Sequence, residues 1–408
     1  MKKILFFFLV SFIILPCIHA REPLLIPERE FEIGINTNAF LANNLLTFPD
    51  VFNSEGTIFF DFGKVNNNFL FTAGAGFTPL FFNIYNKRDW GFGFSIDVEA
   101  MGALNLSGDF LLLNEAVKEK SSVGGAIFIA ATVNTFFPIN KFRVTFSPAM
   151  YYTLAYLTSD VYYTQETIPG YGTEVFMDYI IHIHSMFPLN KITNAFPAAF
   201  NGIPGFDFSI GVEYPLSKEI GIGDRFPILD FDVGLNFINI PVPYLTSLTR
   251  DYMRITGSLG NKGNRFLIDG DINIDDLFDK GEIYYAETGE NNWKIIRPFK
   301  MNIYADWLPL ERSRLLTLRP VLGFSISQLH PKPFFMEGGF NAFFNYNNFF
   351  FLSAGINYLD RMWINSLDFS FNFGGMQFDI GTDIRSQSFL NSWIVSGYGI
   401  RTGIRFGK

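Results

Sequence analysis

Residues 91–109, GFGFSIDVEAMGALNLSGD, alternate apolar and polar side chains with a period of two. Only a β-strand places every second side chain on one face, so this segment predicts a strand. The same alternation recurs along most of the chain, in segments that include FEIGINTNA, FRVTFSPAMYYTLAY, FDFSIGVEY, LDFDVGLNF, FFFLSAGINY, MWINSLDFSFNF and WIVSGYGIRTGIRF. We therefore predict an all-β chain of about 14 strands, within a range of about 12 to 16.

The apolar faces of these strands are predicted to contact lipid rather than a protein core. Several alternating runs exceed ten residues, which suits a tilted transmembrane strand better than a strand of a β-sandwich. The polar faces carry Gly, Ser, Thr, Asn and Asp but very little Lys, whereas soluble sheets expose long charged side chains. Four tryptophans lie at the ends of predicted strands, where an interfacial aromatic girdle would place them: Trp90, Trp307, Trp363 and Trp393.

A lipid-exposed sheet must also close on itself. In hydrocarbon every backbone N–H and C=O group needs an internal partner, so no strand edge can stay open. We therefore predict a single closed antiparallel transmembrane β-barrel over residues 30–408, in which residues 30–40 pair with residues 393–406. With about 14 strands the lumen is too wide for the wall side chains to fill, so it is water-filled or plugged.

The N-terminus has the layout of a secretory signal peptide. MKK is followed by the apolar run ILFFFLVSFIIL and then by PCIHA, which predicts cleavage after Ala20 and a short lead over residues 21–29. Cys17 raises the alternative of a lipoprotein signal with an acylated cysteine, but Pro16 stands where such signals carry a small residue. We expect export through a cleaved signal over residues 1–20, with the lipidation of Cys17 left open.

Charged residues on the polar faces are predicted to line the lumen. Asp97 and Glu99 lie roughly 6.6 Å apart along one strand face, from a rise of ~3.3 Å per residue, a separation that suits an inverting glycosidase as well. Because such acids recur on many strands, a lumen wall explains them better than one active site. The predicted lumen-lining residues are Glu32, Asp97, Glu99, Arg143, Asp207, Glu213, Asp230, Asp232, Arg319, Asp368, Asp379, Asp383, Arg385 and Arg401. Their acidic excess would favour cations mildly, since cross-strand arginines neutralise part of it.

One long segment, at about residues 244–298, is richer in charge than the rest and is predicted to be an external or inward-folded loop. Within it Asp271, Asn273, Asp275 and Glu282 have the spacing of calcium ligands in an EF-hand loop. Asp276 occupies the position where the sharp turn of that loop requires glycine, so a solvated acidic loop is the favoured interpretation.

The sequence contains no recognisable enzyme or cofactor site. His182 and His184 share a strand face and could be two metal ligands, but no nearby cysteine or third histidine completes a site. Neither they nor His330 stand in a recognisable nucleophile setting, so we expect no enzyme and no cofactor. The formal net charge of −8 argues against nucleic acid as a partner.

The alternation over residues 21–408 resembles that of bacterial outer-membrane β-barrels, either porin-like or of the long-chain fatty acid transporter type. The last strand, with Tyr398, Ile400, Ile404 and Phe406, looks like the assembly signal of such barrels, although Gly407 and Lys408 follow it. The fatty acid transporters carry a substantial N-terminal plug, whereas about nine residues, REPLLIPER, precede the first predicted strand here.

The resemblance implies insertion into the outer membrane of a diderm bacterium, with outer-membrane lipid and the assembly machinery as partners. The predicted function is passive passage of small polar solutes or ions. The alternatives are a structural or adhesive barrel acting through residues 244–298, and a transporter of hydrophobic ligands suggested by aromatic residues such as Phe343, Phe349 and Phe351. The solute and the number of assembled copies do not follow from the sequence.

Overall fold

The computed structural model describes residues 30–43, 68–86, 90–107, 121–168, 172–186, 202–220, 230–259, 282–310, 315–329, 333–386, 389 and 396–407. These residues form eighteen strands and one short helix, α1 (Leu216–Glu219). Among them no helix is long and apolar enough to cross a membrane. The predicted signal peptide, the lead over residues 21–29 and Trp393 lie outside the described residues.

Fourteen of the described strands form a closed antiparallel ring, in agreement with the predicted number. In order around the ring they are β1 (Phe31–Asn43), β2 (Asn68–Tyr85), β3 (Gly91–Ser107), β4 (Ser122–Ile139), β5 (Phe142–Ile168), β8 (Gly205–Tyr214), β9 (Phe231–Pro241), β12 (Phe299–Trp307), β13 (Leu316–Ile326), β14 (Phe334–Tyr346), β15 (Phe350–Leu359), β16 (Met362–Asn372), β17 (Met376–Ser386) and β18 (Gly397–Gly407).

The ring closes where the sequence predicts, between its first and last strands. β1 pairs with β18 from Glu32 opposite Gly407 to Ala42 opposite Gly397, without a break in register. This continuous ladder satisfies the backbone groups of both strands, so the barrel has no open edge there.

The remaining four strands form a sheet that branches from the wall at β5. The N-terminal half of β5 pairs with β8, and its C-terminal half, from Ala155 onward, pairs with β6 (Gly172–Ser185). β6 pairs with β10 (Ser247–Leu259), which also pairs with β11 (Glu282–Ile295) and with the two-residue β7 (Gly202–Ile203). We call β6, β7, β10, β11 and the C-terminal half of β5 the side sheet.

The side sheet changes the interpretation of residues 244–298. The described parts of this segment are two paired strands, β10 and β11, rather than one long loop. Sequence patterning missed them because their faces mix charged and apolar side chains instead of alternating cleanly. Residues 260–281 between them lie outside the described residues.

The outer face of the ring is apolar, as the alternation predicts. Leu322 is 66% exposed on this face, Met336 61% and Ile380 52%, while the opposite parity of the same strands is largely buried. Such exposure of large apolar side chains around a closed ring is the surface of a transmembrane β-barrel. Trp90 and Trp307 lie at the ends of β3 and β12, as an aromatic girdle requires.

Short turns join many neighbouring strands. Asn140, Asn347 and Asn348 take positive φ values of 54°, 51° and 56° at the end of the barrel where β1 begins, which we call the terminal end. Asp360 and Arg361, with φ of 49° and 64°, form a two-residue turn at the opposite end, which we call the distal end. Asparagine and aspartate tolerate this left-handed backbone, so these positions suit tight hairpin turns.

Substitution of Gly34 is expected to disturb ring closure. A Cβ atom at this position would meet the carbonyl oxygen of Ile404 on β18 and lie 2.7 Å from the ring of Phe81 on β2. Gly34→Val should therefore destabilise the barrel by ~1–3 kcal/mol, as overpacking does in other proteins. Heat-modifiable mobility in gel electrophoresis should show less folded barrel. Gly289→Val is the control, since nothing lies within 4 Å of a Cβ at that position.

A charge on the apolar outer face should destabilise the barrel according to its depth. Leu322 lies in the middle of β13, so Leu322→Arg should cost ~2–4 kcal/mol, whereas Ile139→Arg, beside the turn at the terminal end, should cost ~0–1 kcal/mol. Urea titrations of the folded protein in lipid vesicles measure both values. Equal costs at the two positions would contradict a lipid-facing belt.

Candidate functional site

The inner face of the barrel carries a set of ion pairs that belong to the wall. Arg319 on β13 binds Asp306 on β12 through both its Nε and Nη2 atoms, and Arg385 binds Asp383 on the same strand. The other pairs are Arg143 with Glu213, Lys300 with Glu337, Arg401 with Asp368 and Arg405 with Asp379. Each of these cations thus contacts a carboxylate, which compensates part of the acidic charge.

Further predicted lumen residues lie on the same face. Glu32 accepts a hydrogen bond from Asn83, and Asp97 accepts hydrogen bonds from Thr78 and Ser95 at 2.8 and 2.7 Å. Asp232 lies opposite Asp306 in the register of β9 and β12. Asp97 and Glu99 therefore share an inner face on β3, but each has its own set of neighbours, which differs from the paired acid and base of a glycosidase.

Asp230 differs from the other predicted lumen residues. It precedes β9 at the terminal end, where its carboxylate accepts a hydrogen bond from Ser217 of α1. Its backbone oxygen accepts from the N–H group of Leu308. Asp230 therefore organises a connection at the barrel end. In the structure β9 begins at Phe231, two residues after the start that the alternation predicts.

The last residue of β11 and the connection to β12, residues 295–298 together, lie in the interior and contact the inner faces of β3, β5 and β8. Tyr151 on β5 donates a hydrogen bond to the backbone oxygen of Ile295 at 3.0 Å. Arg297 binds Asp207 on β8 at 2.7 and 2.8 Å, and its Nη1 lies 3.5 Å from Glu99 on β3. Because four ring strands separate β3 from β12, the contact with Glu99 spans the lumen instead of following the wall. We call residues 295–298 the lumen linker.

The turn after β13 covers the same region from the distal end. Gln328 accepts hydrogen bonds from Tyr156 through its backbone oxygen at 3.3 Å and from Ile296 through its side chain at 3.4 Å. The backbone of Leu329 reaches β4, where a Cβ on Gly124 would lie 2.7 Å from the Leu329 oxygen. Only a glycine at position 124 lets the two backbones approach so closely.

An apolar cluster forms where the linker and this turn meet the wall. Its buried members are Ala126, Phe128, Ala130, Tyr151, Tyr156, Ile295 and Leu329, with Met101 packed against them. The members from β3, β4 and β5 occupy the inner parity of these strands, which carries polar side chains elsewhere in the barrel, and Ile295 and Leu329 come from the linker and the turn. The interior is therefore polar along much of the wall and apolar near the distal end.

Aromatic rings extend this cluster onto the inner face of the side sheet. His184 stacks on Trp293 with ring centroids 4.8 Å apart and lies 5.1 Å from Tyr252 and 6.3 Å from Tyr156. His182 contacts the hydroxyl of Tyr252 at 2.8 Å. Trp293 is 42% exposed, so part of an indole surface stays open to solvent. We call Tyr156, His182, His184, Tyr252 and Trp293 the aromatic group.

The two histidines therefore belong to an aromatic surface. Among the described residues no group of three or more His, Cys, Asp or Glu side chains is arranged to hold a metal ion. Of the weak calcium candidates, Asp271, Asn273 and Asp275 lie outside the described residues, and Glu282 begins β11. Tyr398, Ile400, Ile404 and Phe406 of the predicted assembly signal lie on β18, all on its outward parity.

Sequence reasoning missed Arg297, Asp306, Lys300 and Glu337. Lys300 and Asp306 on β12 and Glu337 on β14 stand at the alternate positions that face the interior. The alternation of these two strands is visible in the sequence and would have assigned the three residues to the inner face. Arg297 follows β11 in the non-periodic stretch KIIRPFK and carries no signal of its position in the lumen. The aromatic group joins β5, β6, β10 and β11, which only the branch at β5 brings together.

Comparison with models of known protein families and with curated protein sequences finds no match. The structure is similar to that of the toluene transporter TodX from P. putida, with a TM-score of 0.50 and 10% identity over 94% of this chain and 91% of TodX. A Pseudomonas aeruginosa FadL homologue gives a TM-score of 0.46 and 9% identity over 94% of this chain and 91% of its own. The translocator domain of the autotransporter NalP from Neisseria meningitidis gives a TM-score of 0.32 and 7% identity over 93% of this chain and 90% of its own.

At these identities the similarity to TodX establishes the fold alone, and the lower scores add nothing to it. The chain is a closed antiparallel transmembrane β-barrel.

Proposed function

We propose that the protein is an outer-membrane channel that carries small hydrophobic, preferably aromatic, molecules. The observation that supports this proposal most is the aromatic group on the side sheet, which continues into the apolar cluster inside the distal end of the barrel. An open indole surface beside buried aromatic rings binds flat apolar molecules through area burial and ring stacking. The similar barrel TodX is a toluene transporter, which is consistent with this ligand class.

The proposal places the protein in the outer membrane of a diderm bacterium, reached through the predicted signal peptide. The apolar outer belt would contact outer-membrane lipid, and the outward side chains of β18 would be recognised by the assembly machinery. No cofactor has a part in this function, because passage through a barrel needs only a lined path.

A channel for small polar solutes or ions is the second candidate. The charged residues on the inner wall favour it, and their acidic members would give the mild cation preference predicted from the sequence. Against it stand the ion pairs that compensate cations such as Arg319 and Arg385, and the linker and turn that lie across the distal lumen. An adhesive role for residues 244–298 stays a prediction.

Ligand binding to the aromatic group should be detectable through Trp293. Titration of the purified protein in detergent with a monoaromatic hydrocarbon is expected to change the tryptophan fluorescence. Trp293→Ala should remove this change and weaken binding about tenfold, the loss expected when ~1.5 kcal/mol of buried aromatic contact is deleted. Trp307→Phe is the matched control, since Trp307 lies at the terminal end of β12, far from the aromatic group in the fold.

Transport is tested in cells with an intact outer membrane, because hydrocarbons cross simple lipid vesicles without a protein. Expression of the protein should raise the uptake rate of the labelled hydrocarbon, and Trp293→Ala should lower it. Vesicles containing the purified protein should admit sugars and ions poorly. Fast sugar uptake with no response to the hydrocarbon would reject the hydrophobic channel and support the polar one.

A further inference from the structure

Arg297 ties the lumen linker to two different parts of the barrel wall. Its guanidinium group binds Asp207 on β8 through two hydrogen bonds and lies 3.5 Å from Glu99 on β3. It also lies over the ring of Tyr151, with 5.4 Å between the guanidinium carbon and the ring centroid. Both carboxylates belong to wall strands, whereas Arg297 belongs to a connection, so these contacts fix where the connection lies.

Burial makes the position of the linker depend on this arginine. Arg297 is 6% exposed, Asp207 3% and Glu99 9%. Charges taken out of water lose solvation, and mutual attraction offsets that loss only while both signs are present. Without the guanidinium group, two buried carboxylates would face the same space without their shared cation, and water would have to enter to solvate them.

The other hydrogen bonds of the linker are neutral, and Ile295 also pairs with Ser247 of β10 and packs in the apolar cluster. Tyr151 donates to the backbone oxygen of Ile295, and the N–H group of Ile296 donates to Gln328. Charge-assisted, bidentate hydrogen bonds are roughly twice as strong as neutral ones, so those between Arg297 and Asp207 are the strongest hydrogen bonds of the linker. Asn239 at the end of β9 donates to the backbone oxygen of Pro298 at 3.0 Å, which keeps the linker attached on its own side.

We propose that Arg297 is the latch of a gate. Its ion pairs with Asp207 and Glu99 hold the lumen linker across the lumen, and breaking them lets the linker retract toward β9 and β12 and opens a path for water and ions. This role of Arg297 is independent of the solute that the protein carries, because Arg297 acts on the lumen linker and not on the transported molecule.

Planar-bilayer recordings of the full-length, refolded protein test this latch. Arg297→Met is expected to raise the mean ion conductance at least about tenfold over the original protein, which corresponds to a loss of ~1.4 kcal/mol of closing free energy. Arg319→Met is the matched control. It removes an equally buried bidentate pair with Asp306, but that pair joins the neighbouring wall strands β12 and β13 and does not cross the lumen.

Two further variants keep the test decisive if Arg297→Met fails to fold. The first is Asp207→Asn, and the second is the double exchange of Asp207→Arg with Arg297→Asp. Asp207→Asn should also raise conductance, and the exchange should restore the low conductance because it rebuilds the pair with reversed signs. Folding is checked for each variant by heat-modifiable mobility. The latch is rejected if the folded Arg297→Met or Asp207→Asn protein conducts no more than the original, or if Arg319→Met raises conductance as much.

Discussion

The backbone pairing between β1 and β18 is the interaction on which the rest of the structure depends. Hydrocarbon offers no hydrogen-bond partner to a free strand edge, so an outward apolar face is tolerated only when the sheet closes. The continuous ladder from Glu32 to Ala42 against β18 meets this requirement. Once the ring is closed, strand parity assigns every alternate side chain to lipid or to the interior, and the site follows from that assignment.

The interior shows how a barrel accommodates charge. Some of its cations contact carboxylates within the wall, as Arg319 does with Asp306, whereas Arg297 contacts Glu99 across the lumen. Wall pairs and lumen pairs have the same chemistry but different positions, because the wall pairs join ring strands and the Arg297 pairs join a connection to the wall. The apolar cluster lies beside Arg297 and packs Ile295 of the lumen linker against β4 and β5.

The alternation predicted the strand number, the closing pair and the apolar outer face, because a period of two fixes side-chain direction whatever the partners are. It placed Asp97, Glu99, Asp207 and Glu213 on one parity, and the structure has them on the inner face. It started the β9 segment at Leu229, whereas β9 begins at Phe231 in the structure, since parity does not mark where a strand begins. It interpreted residues 244–298 as a loop, because β10 and β11 do not alternate cleanly.

The sequence by itself determined that this chain is a closed, lipid-facing barrel with a charged interior, since periodicity and backbone chemistry act locally. Only the tertiary structure decided that β5 changes partners after Tyr151, leaving β8 for β6. That branch brings His184, Tyr252 and Trp293 together and directs Arg297 to Asp207 and Glu99. These contacts join residues far apart in the chain, and no local pattern encodes them, because they arise from which strands become neighbours.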